Sequence, residues 1–253
     1  VVISAKQGGA SLDILSGLNT AEAAVGGGGS QRTPQDPDNM RNEWGPSLFH
    51  VGNVFVTNGS YILPWANRLT GLPGGLLKGW QLNGIVSLRS GAPGLMLLGF
   101  NNSRSLQAGG SLADRPNLRP GYSNNPTKGT TKGCVGIPAG KQLGTPELWY
   151  DPCAFSLPEP GTFGNVGRMT LVGPGYANVD MGLTKNFAVR EGQTLSFRAE
   201  FFNLLNHPNF RVPAGNRNPV ISDSSGNARA DAGRITDIVG TSRQIQFGLK
   251  YTF

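Results

Sequence analysis

The sequence predicts an all-β fold: an antiparallel transmembrane β-barrel segment of about five to six strands, open as an isolated fragment, with long extracellular loops. From Arg243 to Phe253, apolar and polar residues alternate, which is typical of a strand with one apolar and one wet face. The chain has 38 glycines and 18 prolines, which favour turns and loops over helices. The sequence contains no apolar run of about 18 residues, so strands rather than helices are expected to cross the bilayer.

The net charge is +7 and the pI about 9.7, but the basic residues are scattered along the chain. A nucleic-acid-binding protein usually clusters them on one surface, so we expect no nucleic-acid partner. Basic loops that face an anionic lipid surface explain the charge better. The chain starts at Val1 without a visible signal peptide, and we expect an N-terminal segment to be missing.

Two strands are predicted in the first half of the chain, near residues 49–63 and 79–91. The alternation of the first is blurred, and Pro64 ends it. The second alternates clearly, because apolar residues occupy one face from Trp80 to Leu88 and mostly polar residues occupy the other.

Three further strands are predicted near residues 176–187, 194–206 and 243–253. The stretch Arg190-Glu191-Gly192 favours a hairpin between the first two of these. We expect the apolar side chains of the strands to point to the convex face of a curved sheet, with Leu205 outward as well. This apolar set comprises Leu82, Val86, Leu88, Val179, Met181, Leu183, Phe197, Ala199, Ile245, Phe247 and Leu249.

The connections between the predicted strands alternate in length. Residues 16–48, 92–175 and 207–242 form long loops, whereas 64–79 and 188–193 are short. Outer-membrane barrels alternate long extracellular loops with short periplasmic turns in this way. Aromatic residues collect near the end with the short connections, as in the girdle at a membrane interface: Tyr61, Trp65, Trp80, Phe187, Phe197, Tyr251 and Phe253.

Five charged residues are predicted to point to the barrel interior: Arg89, Asp180, Arg198, Glu200 and Lys250. Two interpretations stay open for them, a solvated wall with structural ion pairs or a contact for a plug and a substrate path. The pattern includes no pair of convergent acids beyond Asp180 and Glu200, which lie beside cations, and no motif of a known catalytic site. We therefore expect no enzymatic activity and no cofactor.

Cys134 and Cys153 lie in the same predicted extracellular loop, and we expect them to form a disulfide because the cell envelope is oxidising. His50 and His207 are far away in sequence, which disfavours a metal site or a catalytic thiol there. Asp36 and Asp38 provide too few oxygen ligands for calcium and are expected to lie in a turn.

Several motifs, in order and spacing, resemble the TonB-dependent receptors of the Oar-like type that are common in Acidobacteria. They are Gly79-Trp80-Gln81-Leu82-Asn83-Gly84, Gly161-Thr162-Phe163-Gly164-Asn165, the run from Phe197 to Phe210, Gly233-Arg234-Ile235-Thr236, and Ser242 to Phe247. The resemblance covers nearly all of residues 30–253.

This resemblance implies a bacterial outer-membrane receptor with a 22-stranded barrel and an N-terminal plug that takes up a ligand in an energised step. From the resemblance we expect residues 1–253 to correspond to the C-terminal part of the barrel domain, with the plug domain absent. The implied partners are outer-membrane lipid, the barrel assembly machinery, the TonB complex through the missing N-terminal part, and an unidentified transported ligand. Tyr251 and Phe253 are expected to act as the assembly signal.

Two other classes of protein remain compatible with the pattern. A secreted β-sandwich that binds a ligand or a matrix explains the alternation and the disulfide, and it requires a second sheet packed on the apolar set. A fragment of a passive porin or of an adhesin barrel has the same strands as a receptor.

Overall fold

The computed structural model describes residues 2–5, 10–11, 34–36, 38–47, 49–64, 68–105, 114–214, 219–221 and 223–253. In the described residues, one α-helix, α1, spans Gly71–Leu77, and two short 3-10 helices span Met40–Glu43 and Pro152–Ala154. None of the described helices is long and apolar enough to cross a membrane. The strands are β1 Val2–Ala5, β2 Ala10–Ser11, β3 Gly45–Pro46, β4 Val54–Ile62, β5 Gln81–Arg89, β6 Pro93–Gly94, β7 Asn117–Leu118, β8 Phe155–Ser156, β9 Leu171–Val172, β10 Tyr176–Arg190, β11 Gln193–Phe202 and β12 Gln244–Thr252.

The main element is a six-stranded antiparallel sheet in the order β1-β4-β5-β10-β11-β12. Its five long strands lie side by side in sequence order, as in a barrel wall. The sheet is not closed, because β1 and β12 form its two edges within the described part of the chain. The prediction of an open, antiparallel all-β segment is confirmed.

The strand bounds differ from the predicted ones by more than two residues in three places. β4 begins at Val54 rather than near residue 49, and β10 continues to Arg190. β11 ends at Phe202 because Asn203, with φ of 48°, and Asn206, with φ of 50°, turn the chain into the left-handed region. The prediction that Leu205 continues this strand is therefore wrong. The helix α1 was not predicted within 64–79.

A two-residue turn joins β10 to β11, since Arg190 pairs directly with Gln193. Gly192 has a φ of 76°, a conformation that residues with a Cβ rarely adopt. The register also shifts between Ala188 and Arg190, which is a β-bulge at the end of the hairpin. The short connection predicted at 188–193 is thus a tight hairpin turn.

The register assigns alternate residues to two faces of the sheet. Leu82, Leu183, Ala199 and Phe247 are paired in one row across four strands. The apolar face contains this row together with Tyr61, Val86, Leu88, Val179, Met181, Phe197, Phe201, Ile245, Leu249 and Tyr251. The polar face contains Asn58, Ser60, Gln81, Asn83, Arg89, Asp180, Thr184, Arg198, Glu200, Gln246 and Lys250.

The apolar face is open at its β12 side, because Phe247 and Leu249 are 71% and 69% exposed. A sandwich requires a second sheet packed on this face, and among the described residues no second sheet covers Phe247 and Leu249. The structure therefore does not support the β-sandwich alternative.

The hydrophobic core lies in the loops rather than against the sheet. Its buried residues come from the long loop after β5 and from the loop after β11. They are Met96, Leu98, Tyr150, Ala154, Phe155, Val166, Leu171, Val220 and Ile221. We call the described parts of 34–47, 92–174 and 207–242 the loop cap. The sequence predicted 92–175 as an irregular loop; the structure shows a packed unit with short β6–β9 and β7–β8 ladders.

All three long loops leave the same end of the sheet. Val54, Arg89 and Tyr176 are in register at this end, where the loop cap begins. The two shorter connections, between β4 and β5 and between β10 and β11, lie at the opposite end. We call the two ends the cap end and the turn end. Residues 16–33, 37 and 48 of the first predicted loop lie outside the described residues.

Candidate functional site: the polar sheet face and the loop cap

The register brings the five predicted interior residues onto the same polar face. Asp180, Arg198 and Glu200 line a groove of about 630 Å³ on the sheet. Arg89 lies at the cap end of this face, and Lys250, paired with Ser196, lies near the turn end. That this face lines the interior of a complete barrel stays a prediction.

Four of these residues have structural contacts. Arg198 Nη1 lies 3.6 Å from Glu200 Oε1, but the side chains are 63% and 37% exposed, so the pair contributes little to stability. The Arg89 guanidinium lies 4.5 Å from the centre of the Tyr176 ring. Asp180 Oδ1 accepts a hydrogen bond of 2.8 Å from the backbone N–H of Asn203, which fixes the turn that ends β11.

Within the loop cap, a buried charged cluster holds the first long loop to the second. Arg115 Nη2 lies 2.9 Å from Glu43 Oε1, Arg115 Nη1 lies 3.3 Å from Glu43 Oε2, and both side chains are 2% exposed. Arg168 Nε lies 3.8 Å from Glu43 Oε2. The bidentate geometry is the strong form of an arginine–carboxylate contact. The sequence analysis missed this cluster, because its members are far apart in the chain.

The electrostatics of this cluster follow from burial. Burial lowers the pKa of Arg115, while the charge and the hydrogen bonds of Glu43 act in the opposite direction. The neighbouring Arg168 lowers the Arg115 pKa further. An arginine pKa starts so far above neutrality that the group stays charged, so Glu43 is held between two cations.

Gln35 completes the connection between the loops. Its Oε1 accepts a hydrogen bond of 2.7 Å from the backbone N–H of Arg115, and its Nε2 donates one of 2.9 Å to the carbonyl of Gly164. Its own backbone N–H donates to Glu43 Oε1 at 3.1 Å. Gln35 is 2% exposed, so each of these polar groups is satisfied away from water.

The second and third long loops are joined by backbone hydrogen bonds. Gly99 donates to the Ile221 carbonyl at 2.7 Å, and Val220 donates to the Leu97 carbonyl at 3.0 Å. Farther along the chain, Trp149 donates to the Gly233 carbonyl at 2.7 Å. Together with the shared hydrophobic core, these bonds join the second and third long loops into one packed unit.

The structure contains the predicted disulfide between Cys134 and Cys153, whose Cα atoms are 5.6 Å apart. Asp151 supports it, because its Oδ1 accepts hydrogen bonds from Thr131 Oγ1 at 2.8 Å and from the Cys153 N–H at 3.0 Å. The bridge fastens a small hairpin, in which Cys134 and Ile137 form a β-bridge, to the core of the cap.

Aromatic rings form a cluster at the turn end of the apolar face. Trp80 packs edge-on against Phe197 with ring centres 5.9 Å apart, and Phe197 stacks on Phe247 at 6.3 Å. The ring centres of Tyr251 and Phe253 are 5.9 Å apart, so the predicted assembly residues are adjacent. Trp65, another member of the predicted girdle, lies outside the described residues.

The sequence analysis also missed Lys185, which occupies an apolar-face position between Leu183 and Phe187. Its Nζ lies 4.8 Å from the Phe187 ring centre and 5.7 Å from that of Trp80, and it donates to the carbonyl of Lys78. The residue is 4% exposed. A cation interrupting the apolar alternation was the signal available in the sequence.

Within the described ranges, no group of three or more His, Cys, Asp or Glu residues is placed to hold a metal ion. Asp36 Oδ1 accepts a hydrogen bond from the backbone N–H of Asp38 at 3.0 Å, which is the turn contact expected for this pair.

A family model described as "Outer membrane beta barrel domain" matches residues 15–246. Comparisons with curated proteins and with solved structures found no match. The matched range includes all five long strands except the end of β12, and it includes the loop cap.

Proposed function

Because the chain belongs to the outer membrane β-barrel domain family and is located in the bacterial outer membrane, we propose that it forms the C-terminal part of a TonB-dependent receptor barrel. The receptor takes up an unidentified ligand with energy supplied through TonB. The resemblance of its motifs to Oar-like receptors supports this proposal. In this proposal, the chain is not an enzyme and works without a cofactor of its own.

The observation that carries the proposal is the loop cap. The second and third long loops share a hydrophobic core, and the buried Glu43–Arg115 pair joins the first loop to the second. A disulfide within the second loop fastens one of its hairpins. Such an ordered unit presents a fixed surface to the cell exterior, where a receptor captures its ligand. Binding to a preorganised surface avoids the entropic cost of ordering the loops.

In this proposal the ligand passes from the loop cap along the polar face. The groove beside Asp180, Arg198 and Glu200 provides both charge signs on a solvated wall, so a hydrated solute keeps polar contacts while it moves. The apolar face contacts outer-membrane lipid. In the proposal, a plug and the contact with the TonB complex belong to parts of the protein outside these residues. Tyr251 and Phe253 contact the assembly machinery.

A passive porin is the second candidate, and the exposed Arg198–Glu200 pair favours it, because water-filled channels have such charged walls. The two candidates differ in resting conductance. The natural protein that contains this chain is reconstituted in planar bilayers with KCl on both sides. A plugged receptor is electrically silent, whereas a passive porin gives steady ionic current.

The TonB dependence needs a separate experiment in cells. Site-specific photocrosslinking from the periplasmic side of the natural protein is expected to capture TonB when the cytoplasmic membrane is energised. A silent channel that never crosslinks to TonB contradicts the receptor proposal, although the protein is then still an outer-membrane barrel.

A further inference from the structure

We propose that the turn end carries a phospholipid site between α1 and β10. An acyl chain lies in the groove between these elements, and the lipid phosphate contacts Lys78. The site belongs to the connection between β4 and β5, which the proposed uptake function does not use.

The first observation is the exposure of leucines on α1. Leu72, Leu76 and Leu77 are 85%, 60% and 50% exposed, and Leu69 just before the helix is 40% exposed. The helix itself contains no charged residue. A seven-residue helix with three exposed leucines is unfavourable in water, and it fits an apolar or interfacial environment.

The second observation is a groove of about 580 Å³ beside the helix. Leu69, Leu72 and Leu76 form one side, and Phe187 contributes from β10. Lys78 and Lys185 lie on the same lining. The groove therefore combines an apolar side with cationic groups, which matches the acyl chain and the phosphate of a phospholipid.

Contacts to the apolar face hold α1 in this position. Trp80 Nε1 donates a hydrogen bond of 3.0 Å to the Leu76 carbonyl, while the Trp80 ring packs against Phe197. Lys185 donates to the Lys78 carbonyl, lies against two rings and is 4% exposed, so its ammonium is not accessible to a phosphate. The Lys78 ammonium is therefore the group assigned to the lipid phosphate.

A lipid is the occupant that fits, because the groove is continuous with a surface that faces the bilayer. Phe197 and Phe247 on the apolar face contact acyl chains in an outer-membrane barrel, and Trp80 connects them directly to α1. Short connections of such barrels face the periplasm, where the leaflet consists of phospholipid. A protein partner at α1 is the competing occupant.

The first experiment measures where α1 lies. Leu72→Cys is introduced into the natural protein, labelled with bimane and reconstituted in vesicles of phosphatidylethanolamine and phosphatidylglycerol that contain spin-labelled acyl chains. Ser123→Cys, at an exposed position of the loop cap, is the matched control. We expect spin-labelled lipid to quench the probe at 72 and aqueous iodide to quench the probe at 123. If iodide quenches both probes equally, α1 is in water or binds protein, and the proposal is overturned.

The second experiment tests the headgroup contact. Native mass spectrometry counts phosphatidylglycerol molecules retained by the detergent-solubilised protein. Lys78→Gln is expected to lower the retained fraction roughly tenfold, the effect of one charged hydrogen bond. Lys132→Gln in the loop cap is expected to change nothing. Equal retention by Lys78→Gln and the unmodified protein rejects Lys78 as the phosphate ligand.

Discussion

Glu43 and Arg115 are 72 residues apart in sequence, yet their side chains meet at 2.9 Å with only 2% of each exposed. Removing one partner of a buried ion pair leaves a charge without compensation. Glu43→Gln keeps the side-chain shape and leaves Arg115 and Arg168 without their shared carboxylate. We expect the free energy of opening of the loop cap to fall by about 3–5 kcal/mol. Hydrogen-exchange mass spectrometry of peptides from 92–175 measures this loss.

The matched control for that prediction is Glu200→Gln, which removes the same charge from an exposed pair. The Arg198–Glu200 pair is solvated, so its loss is expected to change stability by less than about 1 kcal/mol. Similar exchange rates in the loop cap for Glu43→Gln and for Glu200→Gln contradict the structural role of the buried cluster.

The strand faces were predictable from sequence because side-chain alternation is a local property. The row of Leu82, Leu183, Ala199 and Phe247 follows directly from period-2 patterns on separate strands, once the register aligns them. The end of β11 was not predictable in this way. Asn203 leaves the extended conformation although the apolar pattern continues to Leu205, and Asp180 on the neighbouring strand stabilises that turn.

The loop cap was not predictable, since its packing depends on contacts between distant segments. Met96 and Ile221 share one core, but glycine, proline and asparagine surround them in sequence and resemble loop composition. No local pattern of side-chain alternation relates Glu43 to Arg115 either. Of the candidate site, the sequence predicted the polar face and the disulfide, and it missed the residues that hold the loops together.

The disulfide is expected to stabilise the loop cap. It closes a loop with a sequence separation of 19, for which chain-entropy arguments give a benefit of about 3 kcal/mol. The double variant Cys134→Ser with Cys153→Ser should therefore speed proteolysis of the hairpin around Ile137. Thr131→Val, which removes a hydrogen bond to Asp151 and keeps the disulfide, is the comparison. Unchanged cleavage in the double variant shows that the core alone holds the hairpin.

Tyr150 makes the loop cap sensitive to alkaline pH. Its side chain is fully buried in the core, and this burial raises its pKa above the ordinary tyrosine value. A raised folded-state pKa contributes stability that is complete below about pH 10, where the unfolded tyrosine is also neutral, and that is lost as the pH rises further. Tyr150→Phe is expected to remove this loss of stability at high pH.

The comparison is Tyr122→Phe, at a partly exposed position. Near-ultraviolet circular dichroism measures the unfolding of the cap between about pH 9 and 11 in both variants. A Tyr150→Phe protein that loses stability as steeply as the Tyr122→Phe protein contradicts this assignment.

Neighbouring residues on β10 test which face of the sheet meets lipid. Leu183 lies on the apolar face in a row with Leu82 and Ala199, whereas Thr184 lies on the polar face beside Gln81 and Arg198. Arginine on the lipid face of a barrel costs up to about 2–4 kcal/mol near the bilayer centre, while a solvated wall accepts it readily. Leu183→Arg is expected to lower the folded outer-membrane level of the natural protein, and Thr184→Arg to leave it nearly unchanged. Surface labelling of intact cells, normalised to total synthesis, measures both. Since the two substitutions add the same charge at adjacent positions, an equal loss in both variants, or a larger loss for Thr184→Arg, means that the apolar face does not contact the bilayer.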